Sequence, residues 1–442
     1  MTFNKDRSAL PAVALAALCL GGWAVGVRGA DAQVTLGVAG RANANVSLAS
    51  TGAFVAAVWS ASLSNGVTDI YAAVSLDGGT RFSSPVRVNS TAGEASVNGE
   101  QPPRVTLVAR PSAELKLGPS STTIVVVWTA KGTAGTRMLT ARSTDGGKTF
   151  SRTATVPGGE AAGNRGWEAL ASDSRGRSMT VWLDHRGLAK PGDQTASTHH
   201  EMSHSSSGTS AKPDGVATAQ LSKLYFASID EPAATREITG GVCYCCKTAL
   251  VAGPANAVAV AWRHVYPGNI RDIAFTMSRD GGNTFAPPIR VSEDQWELEG
   301  CPDDGPAMAV DARGAVHVVW PTLVTEKSAQ TIALFHAFSA DGRRFSARQR
   351  IPTNGVPHHP QVAVARDGSL AVAWDEVRGG SRQIAAARRT VDSAGRVSFR
   401  PEALSAVERG TYPVLTASGS GVLLAFTAGD ASSSTIRFAP LK

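Results

Sequence analysis

The chain has 442 residues, 43% of them hydrophobic and 18% charged, with 45 glycines and 23 prolines. That much glycine and proline excludes a fold built on long amphipathic helices, and the length suits several domains or one repeat domain. The net charge of +7 is spread along the chain. No Lys/Arg cluster interleaves with aromatics, which excludes a nucleic-acid partner.

The first predicted element is an address. Lys5 and Arg7 form a basic start, Leu10 to Val27 is apolar, and Ala30-Asp31-Ala32 places small residues around a cleavage point before Gln33. This pattern reads as a signal peptide over 1–32 and a mature chain of 33–442, exported to the periplasm or secreted. A retained anchor is the competing reading, because the run is long enough to span a bilayer. Cys19 follows Leu18, a poor match to a lipoprotein signal. No later stretch has the length and apolarity to cross a membrane, so none is expected in the mature chain.

The body is a repeat. Apolar runs end in Trp59, Trp128, Trp182, Trp262, Trp320 and Trp374, and a seventh ends in Phe426. Successive copies lie between 52 residues (374 to 426) and 80 residues (182 to 262) apart. Recurrence in this range marks a propeller or solenoid. A second run precedes most copies, often opened by proline (Pro306, Pro360, Pro413) and closed by a turn such as Asp367-Gly368. Two β-rich runs across a tight turn form a hairpin. A third run, such as 270–275, and a fourth, such as 289–291, complete a four-stranded antiparallel blade. The spacing predicts an all-β, seven-bladed propeller of one domain, 33–442. The segment 34–38 matches the fourth strands elsewhere and is expected to close the ring, hiding a sheet edge. The strict repeat position makes the six tryptophans blade packing. His317 and His336 lie within strand runs and read as structural.

A motif recurs between third and fourth strands. Ser75-Leu76-Asp77-Gly78-Gly79-Thr80-Arg81-Phe82 returns as Ser143-Thr144-Asp145-Gly146-Gly147-Lys148-Thr149-Phe150 and as Ser278-Arg279-Asp280-Gly281-Gly282-Asn283-Thr284-Phe285. A shorter form runs from Ser339 to Phe345. The aspartate accepts backbone N–H bonds, glycine supplies positive φ, and the aromatic packs beneath. The motif resembles the Asp-box, or BNR repeat, of the sialidase superfamily. That resemblance implies a β-propeller, with six blades as the alternative to seven, and places the boxes on the face away from the active site. It further implies glycoside hydrolysis by a Tyr nucleophile, a Glu base, an Asp acid/base and carboxylate-gripping arginines. The positions matching those roles are Tyr412, Glu168 or Glu376, Asp184, and Arg263 with Arg378. The Phe-Arg-Ile-Pro motif expected near the start is missing; the nearest sequence, Gln349-Arg350-Ile351-Pro352, lies late.

Loops before first strands and after second strands converge on one rim. Most histidines and all four mature cysteines fall there or in a Ser/Thr/His/Gly stretch over 186–220, which reads as a flexible loop carrying His199, His200, Glu201, Met202 and His204. Histidine with a thioether favours copper. Cys243, Cys245, Cys246 and Cys301 admit two readings. Two disulfides suit an oxidising compartment, with Cys301 bridging from the neighbouring unit or Cys245-Cys246 forming a vicinal bond. A transition-metal site is the other, because Cys243 and Cys245 point the same way in a strand and, with Cys301 and His264, His358 or His359, supply a thiolate/imidazole set for Cu or Zn. Three functions follow: a ligand-binding or metal-associated propeller, an exo-α-sialidase or related glycoside hydrolase, and a non-catalytic scaffold. The expected partner is a small ligand, glycan or metal ion at the rim.

Overall fold

The computed structural model describes residues 34–109, 121–188, 215–231, 235–326, 328–404, 409–419 and 421–441. The segment 1–32, expected to be a signal peptide, and the residues His199 to His204 lie outside these. Seven four-stranded antiparallel sheets form the ring. Blades 1 to 6 span 42–87, 104–155, 165–240, 249–290, 307–351 and 356–401. Blade 7 takes three strands from 411–441, and its fourth is Thr35–Leu36, paired with Arg437 and Ile436. The expected closure by the N-terminal strand is therefore what the chain forms. No helix among the described residues is long and apolar enough to cross a membrane.

The ring is held by seven apolar clusters, one at each junction between neighbouring blades. Each repeat aromatic enters the junction with the preceding blade, as Trp262 does between blades 3 and 4. The second strand of each blade is sandwiched by its own sheet and by both neighbours, so Val258–Arg263 is buried along its whole length. This explains the continuous apolar runs: a strand covered on both faces has no reason to alternate. Burial leaves an indole N–H to satisfy, and a polar side chain accepts it for every repeat tryptophan except Trp128, whose N–H has no partner among the described residues. Trp182, Trp262 and Trp374 donate to Asp184, His264 and Glu376, each two residues later, at 3.0, 3.3 and 2.9 Å.

The turns between third and fourth strands share one geometry. Ser75 Oγ donates to Asp77 Oδ1 and accepts from Gly79 N, while Asp77 Oδ1 accepts from Thr80 N and Arg81 N. Asp145 and Asp280 repeat the pattern. Gly79, at φ +96°, packs its α-carbon on Leu423 with no room for a side chain. Phe82, Phe285 and Phe345 pack under neighbouring rings at 4.6, 5.3 and 5.0 Å.

The third strand of blade 4 begins at Ile273, not at 270 as its apolar pattern predicts. Asp272 is turned aside by bonds to Trp296 N and Gln295 N and by its ion pair with Arg290. Of the segment predicted as a loop over 186–220, the described residues form a 3-10 turn at Arg186–Leu188 and part of a helix at Gly215–Leu221. Arg186 is fixed by two bonds of 2.7 Å to Asp184.

Candidate functional site

The face opposite the aspartate turns is where inner strands begin and second strands end. The inner strands of blades 1, 3, 6 and 7 each slip register at the same place. Each slip puts a non-glycine residue into the left-handed region: Asn45, Trp167, His359 and Tyr412, at φ +59°, +56°, +49° and +51°. Such a conformation is unfavourable for residues with a Cβ and clusters at functional sites. Asn45, His359 and Tyr412 line one cleft at the channel mouth, while Trp167 packs on His185. The resulting narrow cleft is lined by residues that include Asn45, Arg104, Lys247, His359, Gln361 and Tyr412.

Charged groups from four blades, with Tyr412 from a fifth, meet around this cleft. His359 Nδ1 lies 2.6 Å from Asp375 Oδ1, which also accepts the Tyr412 N–H at 3.2 Å. Arg382 pairs with the same carboxylate. Burial opposes ionisation of Asp375, but the His359 and Arg382 bonds outweigh it and hold the carboxyl below its ordinary range. His358 Nδ1 and the His359 N–H both bind Asp304, at 2.7 and 2.6 Å. Glu100 accepts the Lys247 N–H at 3.0 Å, and its other oxygen stands 3.8 Å from Lys247 Nζ. Asp303 remains partly exposed, yet the rim walls strip enough water from it that its pKa rises to about 6, helped by Glu100 and Asp304. The Tyr412 ring lies 4.0 Å from that of His359 and packs on Gly99, where a Cβ would not fit. Burial, with Glu100 and Asp375 nearby, pushes its phenol upward.

The cysteines form a second cluster on this face, between the crossovers that flank blade 4. All four sulfurs lie within 4.8 Å of one another. Cys245 and Cys301 form a disulfide, and Cys243 and Cys246 are free and buried. Cys243 Sγ stands 3.6 Å from Cys245 and 3.8 Å from Cys246. Ala219 and Val216 of the short helix cover them, with Val265. Arg271 donates to Cys243 Sγ at 3.1 Å. Hydrogen bonding from Cys246, against burial and with Arg271 and Arg263 near, lowers the Cys243 thiol to about 6. Burial and the Cys243 thiolate push Cys246 the other way.

The other residues singled out in the sequence are bonded elsewhere. Asp184 binds the Trp182 indole, Arg186 and Arg165. Glu376 binds the Trp374 indole, Asn354 N and Arg378. Glu168 is buried, accepts from Thr129 Oγ1 at 3.1 Å, and has its pKa raised by burial. Arg263 is spent on the carbonyls of Asp304, Arg271 and Pro321. His264 faces Trp262 and Tyr266, while His358 and His359 belong to the channel cluster. None of the three histidines joins the four sulfurs. Sequence reasoning did not single out Glu100, Lys247, Arg271 or Arg382. Glu100 was within reach, since Pro102-Pro103 opens the inner strand of blade 2 as Pro413 opens that of blade 7. Arg271 and Arg382 lie at the starts of third strands, which return to the same face.

No protein-family model and no curated protein matches the chain. Solved structures similar to it include an α-L-arabinofuranosidase of Fusarium graminearum with arabinobiose, at 11% identity over 93% of this chain and 96% of that one, TM-score 0.46. An intramolecular trans-sialidase from Ruminococcus gnavus is 12% identical over 76% of this chain and 94% of its own, TM-score 0.44. The polysaccharide lyase Uly1 is 9% identical over 92% and 91%, TM-score 0.49. The likeness is one of fold. By its own topology the chain is a seven-bladed β-propeller.

Proposed function

We propose that the chain is an exported, single-domain propeller that binds a transition metal ion, Cu or Zn, through Cys243, Cys245, Cys246 and Cys301. The observation that carries this reading is the convergence of four sulfurs within 4.8 Å on the channel face. A tetrahedral thiolate set with metal–sulfur bonds of about 2.3 Å has sulfurs about 3.8 Å apart. The separations of 3.6, 3.8 and 4.0 Å among Cys243, Cys245 and Cys246 suit that size. A large propeller core needs no staple for stability, so four cysteines at one rim call for another use. The test is metal content with a free-thiol count on the chain purified under anaerobic, reducing conditions. About one ion per chain supports the reading. No ion, with four free thiols, rejects it.

Glycoside hydrolysis is the second reading, favoured by Tyr412 beside the channel carboxylates. The acid/base chemistry tells against it. A tyrosine nucleophile needs its phenol lowered by a base, and here burial and neighbouring carboxylates raise it. Glu168, Asp184 and Glu376 are buried and already engaged in bonds of their own. Turnover of a sialoside or arabinoside reporter, lost in Tyr412→Phe, would restore this reading.

A further inference from the structure

Two of the largest fully buried side chains in the molecule are arginines beside the cysteines. Arg263 and Arg271 are each 1% exposed. Arg271 spends its guanidinium on Leu298 O, Asn269 Oδ1 and Cys243 Sγ. Arg263 donates its hydrogen bonds to carbonyls, one of them that of Arg271 itself, and lies over the Trp296 ring at 4.8 Å. Among the described residues neither forms an ion pair with a carboxylate. Asp272, next in sequence to Arg271, is turned to Arg290 instead. A buried cation without a counter-ion is expensive, and two adjacent ones are more so. The disulfide form of the cluster provides at most the two sulfurs of Cys243 and Cys246 as anions.

We infer, building on the metal reading above, that this is a redox-gated site for a divalent thiophilic cation of the zinc type, with Arg263 and Arg271 as its counter-charges. Four thiolates around a dication carry a net charge of −2, which the two arginines neutralise. A monovalent cation with the same ligands leaves −3; among the described residues no carboxylate joins the four sulfurs, Asp303 reaching only Cys301 Sγ at 3.2 Å, so the balance selects the dication. The disulfide is the second state of the same site. A small-molecule disulfide accepts two electrons from the Cys245 and Cys301 thiolates. A sulfur–sulfur bond forms between them, two small thiolates leave, and the cation loses half of its ligands. Cys243 and Cys246 alone are too few ligands to hold it, and it leaves the site. The covering helix and the crossovers clipped by Cys301 keep all four sulfurs together in both states.

The test uses the mature chain, reduced and stripped of metal, titrated with Cd²⁺ alone and followed by its ultraviolet thiolate-to-metal absorption. The expected result is one Cd²⁺ per chain with an intensity set by four thiolates. Adding oxidised glutathione should remove that absorption together with two titratable thiols. Arg271→Gln should weaken Cd²⁺ binding by at least about tenfold, and Arg271→Lys should recover most of it. Cd²⁺ retained after oxidation, an intensity of two thiolates, or an unaltered affinity in a folded Arg271→Gln would each overturn the inference while leaving a metal site. No Cd²⁺ bound by the fully reduced chain overturns the metal reading as well. The oxidation arm needs no variant, so it decides the matter even where Arg271→Gln does not fold.

Discussion

The two faces of the propeller treat the same side chain in opposite ways. On one face Asp145 and Asp280 sit in open turns, where hydrogen bonds from Thr149 and Thr284 and from local backbone N–H groups lower each to about 2. On the other face Asp303 is raised to about 6 by lost hydration, by Glu100, which arrives from the entry to blade 2, and by its sequence neighbour Asp304. The first environment is built from seven consecutive residues, such as 143–149, and is repeated wherever they are. The second exists only because blades 2, 5 and 6 meet at a channel. Local satisfaction favours the charged form; crowding at a convergence point disfavours it.

Experiments that separate the faces have graded effects. Trp262→Ala, which opens the junction between blades 3 and 4 and leaves His264 without its donor, is expected to cost about 3–5 kcal/mol by denaturant unfolding. Both faces should lose order together, because every junction is needed to close the ring. Next in size, Cys243→Ser combined with Cys246→Ser should take metal content from one ion per chain to none with the fold retained by circular dichroism. A retained ion would move the site elsewhere on the rim.

The pH dependence distinguishes the faces by sign. Asp303 binds its proton more tightly in the folded chain than in the unfolded one. It therefore adds stability below about pH 4 that is lost as pH rises through about 6. Asp303→Asn should flatten the melting temperature across that window, and an unchanged slope would refute the crowding argument. Asp145 and Asp280 behave oppositely: their contribution is present above about pH 4 and lost as pH falls toward about 2. The smallest effect belongs to a single turn. Asp145→Ala should cost about 1 kcal/mol, read by thermal melting, without altering metal content.

Much of the fold was legible because its causes are local or periodic. Six tryptophans and a phenylalanine at one repeat position announced seven blades, since each fills one junction. The Ser-x-Asp-Gly-Gly turns were readable because their bonds run within a few residues. The segment 34–38 was recognisable as a fourth strand from its likeness to the others. The rim was legible only as a neighbourhood. Asp184, Glu376 and His264 stood where site residues stand, but three of the tryptophans claim an acceptor two positions on, and that need consumes them. The recurring Trp-x-Asp/Glu/His spacing was present in the sequence as a signal for indole capping.

What the sequence by itself determined is the β-propeller, its blade number, its closure and the turns of one face, because strand period, repeat spacing and glycine conformation act over short distances. It also determined that four cysteines would stand on the other face. Only the tertiary structure decided that their sulfurs meet beside Arg263 and Arg271, that His358 and His359 turn instead to Asp304 and Asp375, and that Glu100 reaches Lys247 from 147 residues away. Those partnerships depend on ring closure, which fixes distances between blades that no local pattern encodes.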